Sequence, residues 1–200
     1  MFDPAPLAAA AVPEAADLHD RTGLPEAYLF LVREFPRSEW TTARLHAGAR
    51  FWLERHAGFR GAHARLVAGG ARWRETGGDP AAYARETLPA LGGFLQHLDG
   101  HHRVESDHYF PAMRRQEPRL DAGFALLDRD HDAIHRVLEG LMEAAVALSR
   151  AAAGDERRAA AERLAGVIEG AGRPLLRHLD DEEDIVVPML TRYGDPLGLG

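Results

Sequence analysis

This chain of 200 amino acids contains no cysteine and no lysine. Without cysteine the chain has no disulfide and no thiolate, which excludes thiolate zinc sites, iron–sulfur clusters and a cysteine nucleophile. Without lysine it has neither a Walker-type phosphate lysine nor a Schiff-base lysine. Serine occurs only at Ser38, Ser106 and Ser149, and none of these lies in a nucleophile elbow. Several common catalytic classes are therefore excluded before any motif is considered.

The charge balance of the chain is acidic, with 31 Asp and Glu against 24 basic residues and a formal net charge of −7. Nucleic acids and anionic membranes both attract basic surfaces, so we expect neither as a partner. The apolar run from Leu7 to Val12 is too short to span a membrane, and no basic residue precedes it. We therefore expect a soluble cytoplasmic protein, and the arginine-, alanine- and glycine-rich composition is typical of a GC-rich bacterial genome.

Helical periodicity dominates the sequence, and no useful run of alternating apolar and polar residues predicts a strand. A hydrophobic content of 46% suffices for one core. We predict an all-α protein, an up-down-up-down four-helix bundle with an extra short N-terminal helix. The predicted parts are a tail and short helix at residues 1–38, the bundle at 39–194 and a C-terminal tail at 195–200. The segment up to about Pro25 is expected to be disordered or loosely docked.

One motif occurs twice in the second half of the chain. His101 and Glu105 have the same spacing as His178 and Glu182, and a proline follows each glutamate six residues later. A His and a Glu four residues apart lie on one face of a helix, about one turn from each other. Both pairs can therefore point at the same position inside a bundle, which predicts a buried two-metal site.

The other two long helices also carry histidines at helical spacing. His131 and His135 form an i, i+4 pair on the third helix, and the first offers His56, with His46 and His63 as competitors. Imidazole and carboxylate together suit iron, manganese or zinc, whereas magnesium and calcium prefer oxygen ligands. Histidine outnumbers carboxylate here, which favours reversible binding or sensing of O2 over its cleavage. Two carboxylates that can bridge favour two metal ions.

These residues resemble the hemerythrin-like (HHE cation-binding) domain family. The resemblance extends from about Thr41 to Leu190, and its most specific parts are the segments His101–Pro111 and His178–Pro188. It implies a four-helix bundle with two non-haem iron ions and a bridging oxygen species. The implied small-molecule partner is O2 or a similar diatomic or peroxide ligand.

The resemblance also implies roles for individual residues. His56 and His101 would hold one iron, histidines of the last two helices the other, and the glutamates of the repeated motif would bridge them. Hemerythrin proper places its last carboxylate five residues after the last histidine, at Glu183 here, whereas the internal repeat favours Glu182, which we predict. His102 is expected to point outward. The predicted metal ligands are His56, His101, Glu105, His131, His135, His178 and Glu182.

The function predicted from the sequence is binding or sensing of O2 or a related redox molecule. A sensor would need a protein partner, because the chain shows no separate signalling domain. The alternatives are a di-iron enzyme that consumes peroxide or nitric oxide, and a zinc-binding or metal-free helical interaction module.

Overall fold

The computed structural model describes residues 17–41 and 44–197, with side chains as far as residue 194. Over these residues it contains helices and no strand. Two 3₁₀ turns, Glu26–Tyr28 and Arg37–Glu39, flank the first short helix, and a π turn at Glu105–Tyr109 follows the third helix. The helices are α1 (Phe30–Glu34), α2 (Ala47–Thr76), α3 (Pro80–Val104), α4 (Phe110–Gln116), α5 (Asp121–Arg150) and α6 (Asp155–Leu197).

The helix ends follow from local sequence. Gly77 ends α2 with a left-handed backbone at φ 60°, a conformation that suits glycine. Asp79 caps α3 by accepting hydrogen bonds from the backbone amides of Ala81 and Ala82, and Pro80 takes the first helical position. Only a few residues separate α2 from α3 and α5 from α6, so consecutive long helices run in opposite directions.

The four long helices form the predicted bundle. Helix α6 packs against α2 and α5, and α3 packs against the same two helices on the other side. The last helix was expected to end by residue 194, but α6 continues to Leu197. None of the helices in the described ranges is long and apolar enough to cross a membrane.

The bundle core consists of two apolar clusters with a polar layer between them. On α6 one cluster ends at Leu179 and the other begins at Ile185. On α3 and the turn and helix that follow it, the first cluster ends at Leu98 and the second begins at Phe110. Helices α2 and α5 also contribute one end to each cluster. The buried side chains between the two clusters are histidines and carboxylates, so all four helices contribute to one buried polar layer.

The N-terminal segment packs against the bundle more closely than its composition suggested. Residues 1–16, most of the predicted tail, lie outside the described residues. From residue 17 onward, Leu18, Arg21, Leu24 and Leu31 are all buried. Residues 17–24 are therefore docked through apolar side chains and one buried arginine.

Candidate metal centre

Seven side chains form the polar layer, and they come from all four long helices and the π turn. Six of them are buried, and the side chain of His101 is 12% exposed. They fall into two groups of potential ligands, in each of which the ligand atoms lie within 4.8 Å of one another. The first group is His56, His101, Glu105 and Glu182, and the second is His102, His131 and His178.

The two glutamates connect the groups. Glu105 places Oε1 2.8 Å from Nε2 of His101 and Oε2 3.5 Å from Nε2 of His131. Glu182 places Oε1 3.4 Å from Nε2 of His56 and Oε2 3.2 Å from Nε2 of His178. Each carboxylate thus offers one oxygen to each group, which is the arrangement that a bridging ligand requires.

The donor set fits a pair of cations. Seven buried atoms of the layer have no hydrogen-bond partner among the described residues, although several lie close together. A buried polar atom left without a partner costs about 1–3 kcal/mol, so a group of them needs an explanation. Nitrogen and oxygen donors in this ratio suit iron, manganese or zinc. The seven atoms are both carboxylate oxygens of Glu105, Oε2 of Glu182, Nε2 of His102 and His131, and both ring nitrogens of His178.

His102 belongs to the layer, contrary to the expectation that it points outward. Its ring stacks on His131, with centroids 4.3 Å apart and an interplanar angle of 9°. Consecutive helical residues point about 100° apart, so His101 faces α2 and contacts His56, whereas His102 faces α5. The signal was present in the sequence, because the buried stripe of α3 that includes Leu98 continues through both histidines.

His135 lies outside the layer, although the sequence grouped it with His131. Its side chain is 57% exposed and lies 3.5 Å from Asp99 and 3.6 Å from Glu139. The inward stripe of α5 passes from His131 to Ile134 instead. The i, i+4 spacing therefore places His135 at the edge of the bundle.

The two competitors of His56 on the first long helix have other contacts. His46 caps α2 by accepting a hydrogen bond from the backbone amide of Gly48. His63 is buried, and its Nε2 lies 2.8 Å from the carbonyl oxygen of Ile168. Of the three histidines, only His56 has a ring nitrogen in the layer.

Several ligand candidates are oriented by a second contact. Nδ1 of His56 lies 3.1 Å from Oε1 of Glu183, so Glu183 contacts the outer side of that ring while Glu182 faces the layer. Trp52 donates from Nε1 to Oε1 of Glu182 at 2.6 Å. Nδ1 of His131 lies 2.9 Å from the hydroxyl oxygen of Ser106. Such outer contacts fix ring orientation and tautomer in metal sites.

The carboxylates of the layer have opposite pKa shifts. Burial and the nearby charge of Glu182 hold the pKa of Glu105 well above its usual value. Burial also opposes the ionised form of Glu182, yet the charges of the surrounding histidines, first that of His56, hold its pKa well below the usual value. Negative charges on two neighbouring buried carboxylates repel each other, and a cation between Glu105 and Glu182 would allow both to ionise.

Two imidazoles of the layer also differ from each other. Burial lowers the pKa of His101 to about 3, and the neighbouring histidines act in the same direction. Burial opposes the charged form of His178 as well, but the nearby carboxylates of Asp130 and Glu182 outweigh it and raise the His178 pKa to about 9. Strong pKa shifts of both signs in one buried cluster are typical of functional sites.

A comparison with models of known protein families shows which family this bundle matches. The model of the hemerythrin HHE cation-binding domain matches residues 47–190, from the start of α2 to near the end of α6. The chain belongs to this hemerythrin family. The match confirms the resemblance inferred from the two His-x-x-x-Glu segments, and it agrees with an all-α bundle whose His and Glu residues could hold metal. No curated protein and no solved structure gives a significant match.

All seven side chains of the polar layer lie inside the region that matches the hemerythrin family. The docked N-terminal segment, residues 17–41, lies before it. The segment therefore lies outside the matched region.

Proposed function

We propose that this hemerythrin-family protein holds two non-haem iron ions and binds or senses O2 or a related small redox molecule. The observation that carries the proposal is the pair of glutamates, each with one oxygen toward each group of imidazoles. Such a pair of carboxylates suits two cations a few ångströms apart better than one.

The proposed ligands follow the two groups. His56 and His101 hold one ion, and the three stacked or crossed imidazoles of the second group hold the other. Glu105 and Glu182 bridge the ions. This set includes His102 and omits His135, and the remaining predicted ligands keep their roles. The proposed imidazole ligands of the second ion are His102, His131 and His178.

The donor ratio favours binding over oxygen cleavage. Five imidazoles and two carboxylates give a site richer in nitrogen than in oxygen, and apolar clusters on both sides keep bulk water out of the layer. When bound, iron ions in such a site supply reversible electron transfer to a small oxygen-containing molecule. The protein's own residues fix the ligand positions and shield them from solvent.

The first group has more room for an incoming molecule. It contributes two imidazoles against three in the second group, so the ion there has fewer protein ligands. His101, the most exposed member of the layer, also borders a cavity of about 500 Å³ between α2 and α3. Trp52, Gly100, Val104 and Tyr109 line the same cavity. We infer that small molecules reach the site from this side.

The test begins with the metal content of protein purified from iron-supplemented cells. Absorption spectra are then compared after anaerobic reduction and after readmission of O2. About two irons per chain and an oxygen-dependent reversible band would support the proposal.

Other results would separate the alternatives. Fast turnover of added peroxide or nitric oxide would favour an enzyme. Zinc as the bound metal, with no iron uptake on reconstitution, would favour a zinc protein. Absence of any metal, together with unchanged stability in chelator, would leave a helical interaction module. A protein partner of a sensor could be sought by capture with the oxygenated and the reduced forms.

A further inference from the structure

Arg21 is a buried cation in the segment that precedes the family region. It is 5% exposed, and its guanidinium group contacts two buried carboxylates. Nη1 and Nη2 bind the two oxygens of Asp130 on α5 side by side, and Nε donates to Asp181 on α6 at 2.8 Å. The planar fork of arginine matches this paired geometry, which a lysine ammonium does not reproduce.

Asp130 connects Arg21 to the polar layer. Its Oδ2 lies 3.7 Å from Nδ1 of His178, the ring nitrogen that faces away from the layer. The other ring nitrogen, Nε2, is the atom that His178 offers as a ligand, 3.2 Å from Glu182. Carboxylates on the outer nitrogen of a ligand histidine fix its orientation and its donor strength.

A second arginine ties the same segment to α6. Arg177 lies 2.7 Å from Asp181 and donates to the backbone carbonyl of Thr22, next to Arg21. Asp181 is therefore held between two arginines, and Arg21 is fixed in direction by a carboxylate on each side. The position of Asp130 is set by a guanidinium group that cannot easily move.

Stability alone does not account for this buried arrangement. Buried ion pairs can often be replaced by apolar side chains without loss of stability, because desolvation offsets their attraction. The segment already docks through Leu18, Leu24 and Leu31, which are all buried. The Arg21 guanidinium group binds Asp130, and Asp130 contacts the ligand candidate His178. This arrangement points to a role of Arg21 at the site.

We propose that Arg21 is a positioning residue that fixes Asp130 against His178 and thereby sets the ligand strength of the three-imidazole half of the metal centre. The inference rests on the proposed metal site. It assigns to the N-terminal segment, which lies outside the family region, a direct influence on one of the two metal ions.

The experiment uses the full chain loaded with Co²⁺, whose visible bands report the ligand field without any oxygen chemistry. Three variants are compared with the wild type: Arg21→Lys, Asp130→Asn and Leu24→Ala. Arg21→Lys keeps the charge and loses the fork. We expect shifted Co²⁺ bands and about tenfold faster loss of one of the two metal ions to a chelator, because outer partners of metal ligands typically change affinity on the order of 10- to 100-fold.

Leu24→Ala is the matched control, because it loosens the same segment without touching Asp130. We expect it to lower the thermal unfolding midpoint and to leave the Co²⁺ bands and both release rates unchanged. Asp130→Asn should change the bands and the release rate in the same sense as Arg21→Lys. It also keeps the inference testable if Arg21→Lys fails to fold.

The outcomes separate this inference from the proposed function. A wild-type protein that takes up no Co²⁺ and no iron overturns both. A wild type that binds two Co²⁺ ions, while Arg21→Lys or Asp130→Asn behaves like Leu24→Ala in bands and release rates, overturns the role of Arg21 alone.

Discussion

The substitution His102→Phe tests the ligand set most directly. The His102 ring is buried and stacks on His131, and its Nε2 is one of the unpartnered atoms of the polar layer. Phenylalanine keeps an aromatic ring in the stack and removes the nitrogen donor. The loss should therefore fall on metal binding more than on packing.

The size of the effect follows from the share of one ligand in a metal site. Structural zinc sites with four protein ligands bind with about 10–16 kcal/mol, or roughly 2.5–4 kcal/mol for each ligand. A loss of that size weakens binding by about two to three orders of magnitude. Since His102 belongs to the three-imidazole group, only one of the two binding steps should weaken.

The assay is anaerobic competition for Fe²⁺ against a chromophoric chelator, with metal content measured after gel filtration. His135→Phe is the matched control. His135 lies on α5, one turn after His131, and its side chain is mostly exposed. We expect it to keep both binding steps. Wild-type affinity in His102→Phe, or an equal loss in His135→Phe, would refute the ligand set.

Three further predictions concern access, pH and the bridging carboxylates. Gly100→Leu should slow O2 binding, measured by stopped-flow absorption, because the new side chain narrows the cavity beside His101. Gly140→Leu is the control and should leave the rate unchanged, because a Cβ there also meets open space but Gly140 does not line the cavity. In chelator-treated protein, the His178 pKa is about 9, against about 6.5 in the unfolded chain. This difference stabilises the fold by about 3 kcal/mol below pH ~6.5, and the stabilisation is lost as the pH rises toward about 9. The pKa of about 3 at His101 lowers stability as the pH falls below about 6.5, so urea unfolding should give a maximum near pH ~6.5; a flat profile would contradict both assignments. Trp52→Phe removes a hydrogen bond to a carboxylate worth about 1.5–3 kcal/mol, which the same unfolding assay would detect against the wild type.

Much of the fold and most of the layer could be predicted from short-range patterns. The four long helices follow from periodicity and from caps such as Asp79, and the repeated spacing of His101 with Glu105 and His178 with Glu182 predicted that both pairs point inward. These predictions succeeded because each depends on residues within one or two helical turns of each other. Geometry within a helix is fixed by its regular repeat.

The two misplaced histidines show the limit of spacing rules. An inward stripe advances by alternating steps of three and four residues, so an i, i+4 partner of a buried residue is not always buried. On α5 the step after His131 leads to Ile134 and leaves His135 exposed. On α3 a step of three residues after Leu98 leads to His101 and a step of four leads to His102. Both side chains enter the layer, because His101 contacts His56 of α2 and His102 stacks on His131 of α5.

The buried contacts of Arg21 could not be predicted at all, because its partners are remote in sequence. Asp130 and Asp181 lie 109 and 160 residues further along the chain. Nothing within a few residues of Arg21 indicates burial, and an alanine- and proline-rich stretch precedes it. Only the packing of the segment across α5 and α6 brings these charges together.

The polar layer also explains why the fold and the metal site depend on each other. An apolar core would normally continue through the middle of a bundle, but here every long helix interrupts its apolar stripe at the same level. The interruption leaves buried atoms without partners, including both oxygens of Glu105, and this weakens the centre unless a cation compensates for it. Because binding energy that exists only in the folded state is folding energy, metal bound here would stabilise the bundle at its weakest level. The two apolar clusters hold the four helices in place on either side, so the histidines and glutamates of the layer are held in position without any ion.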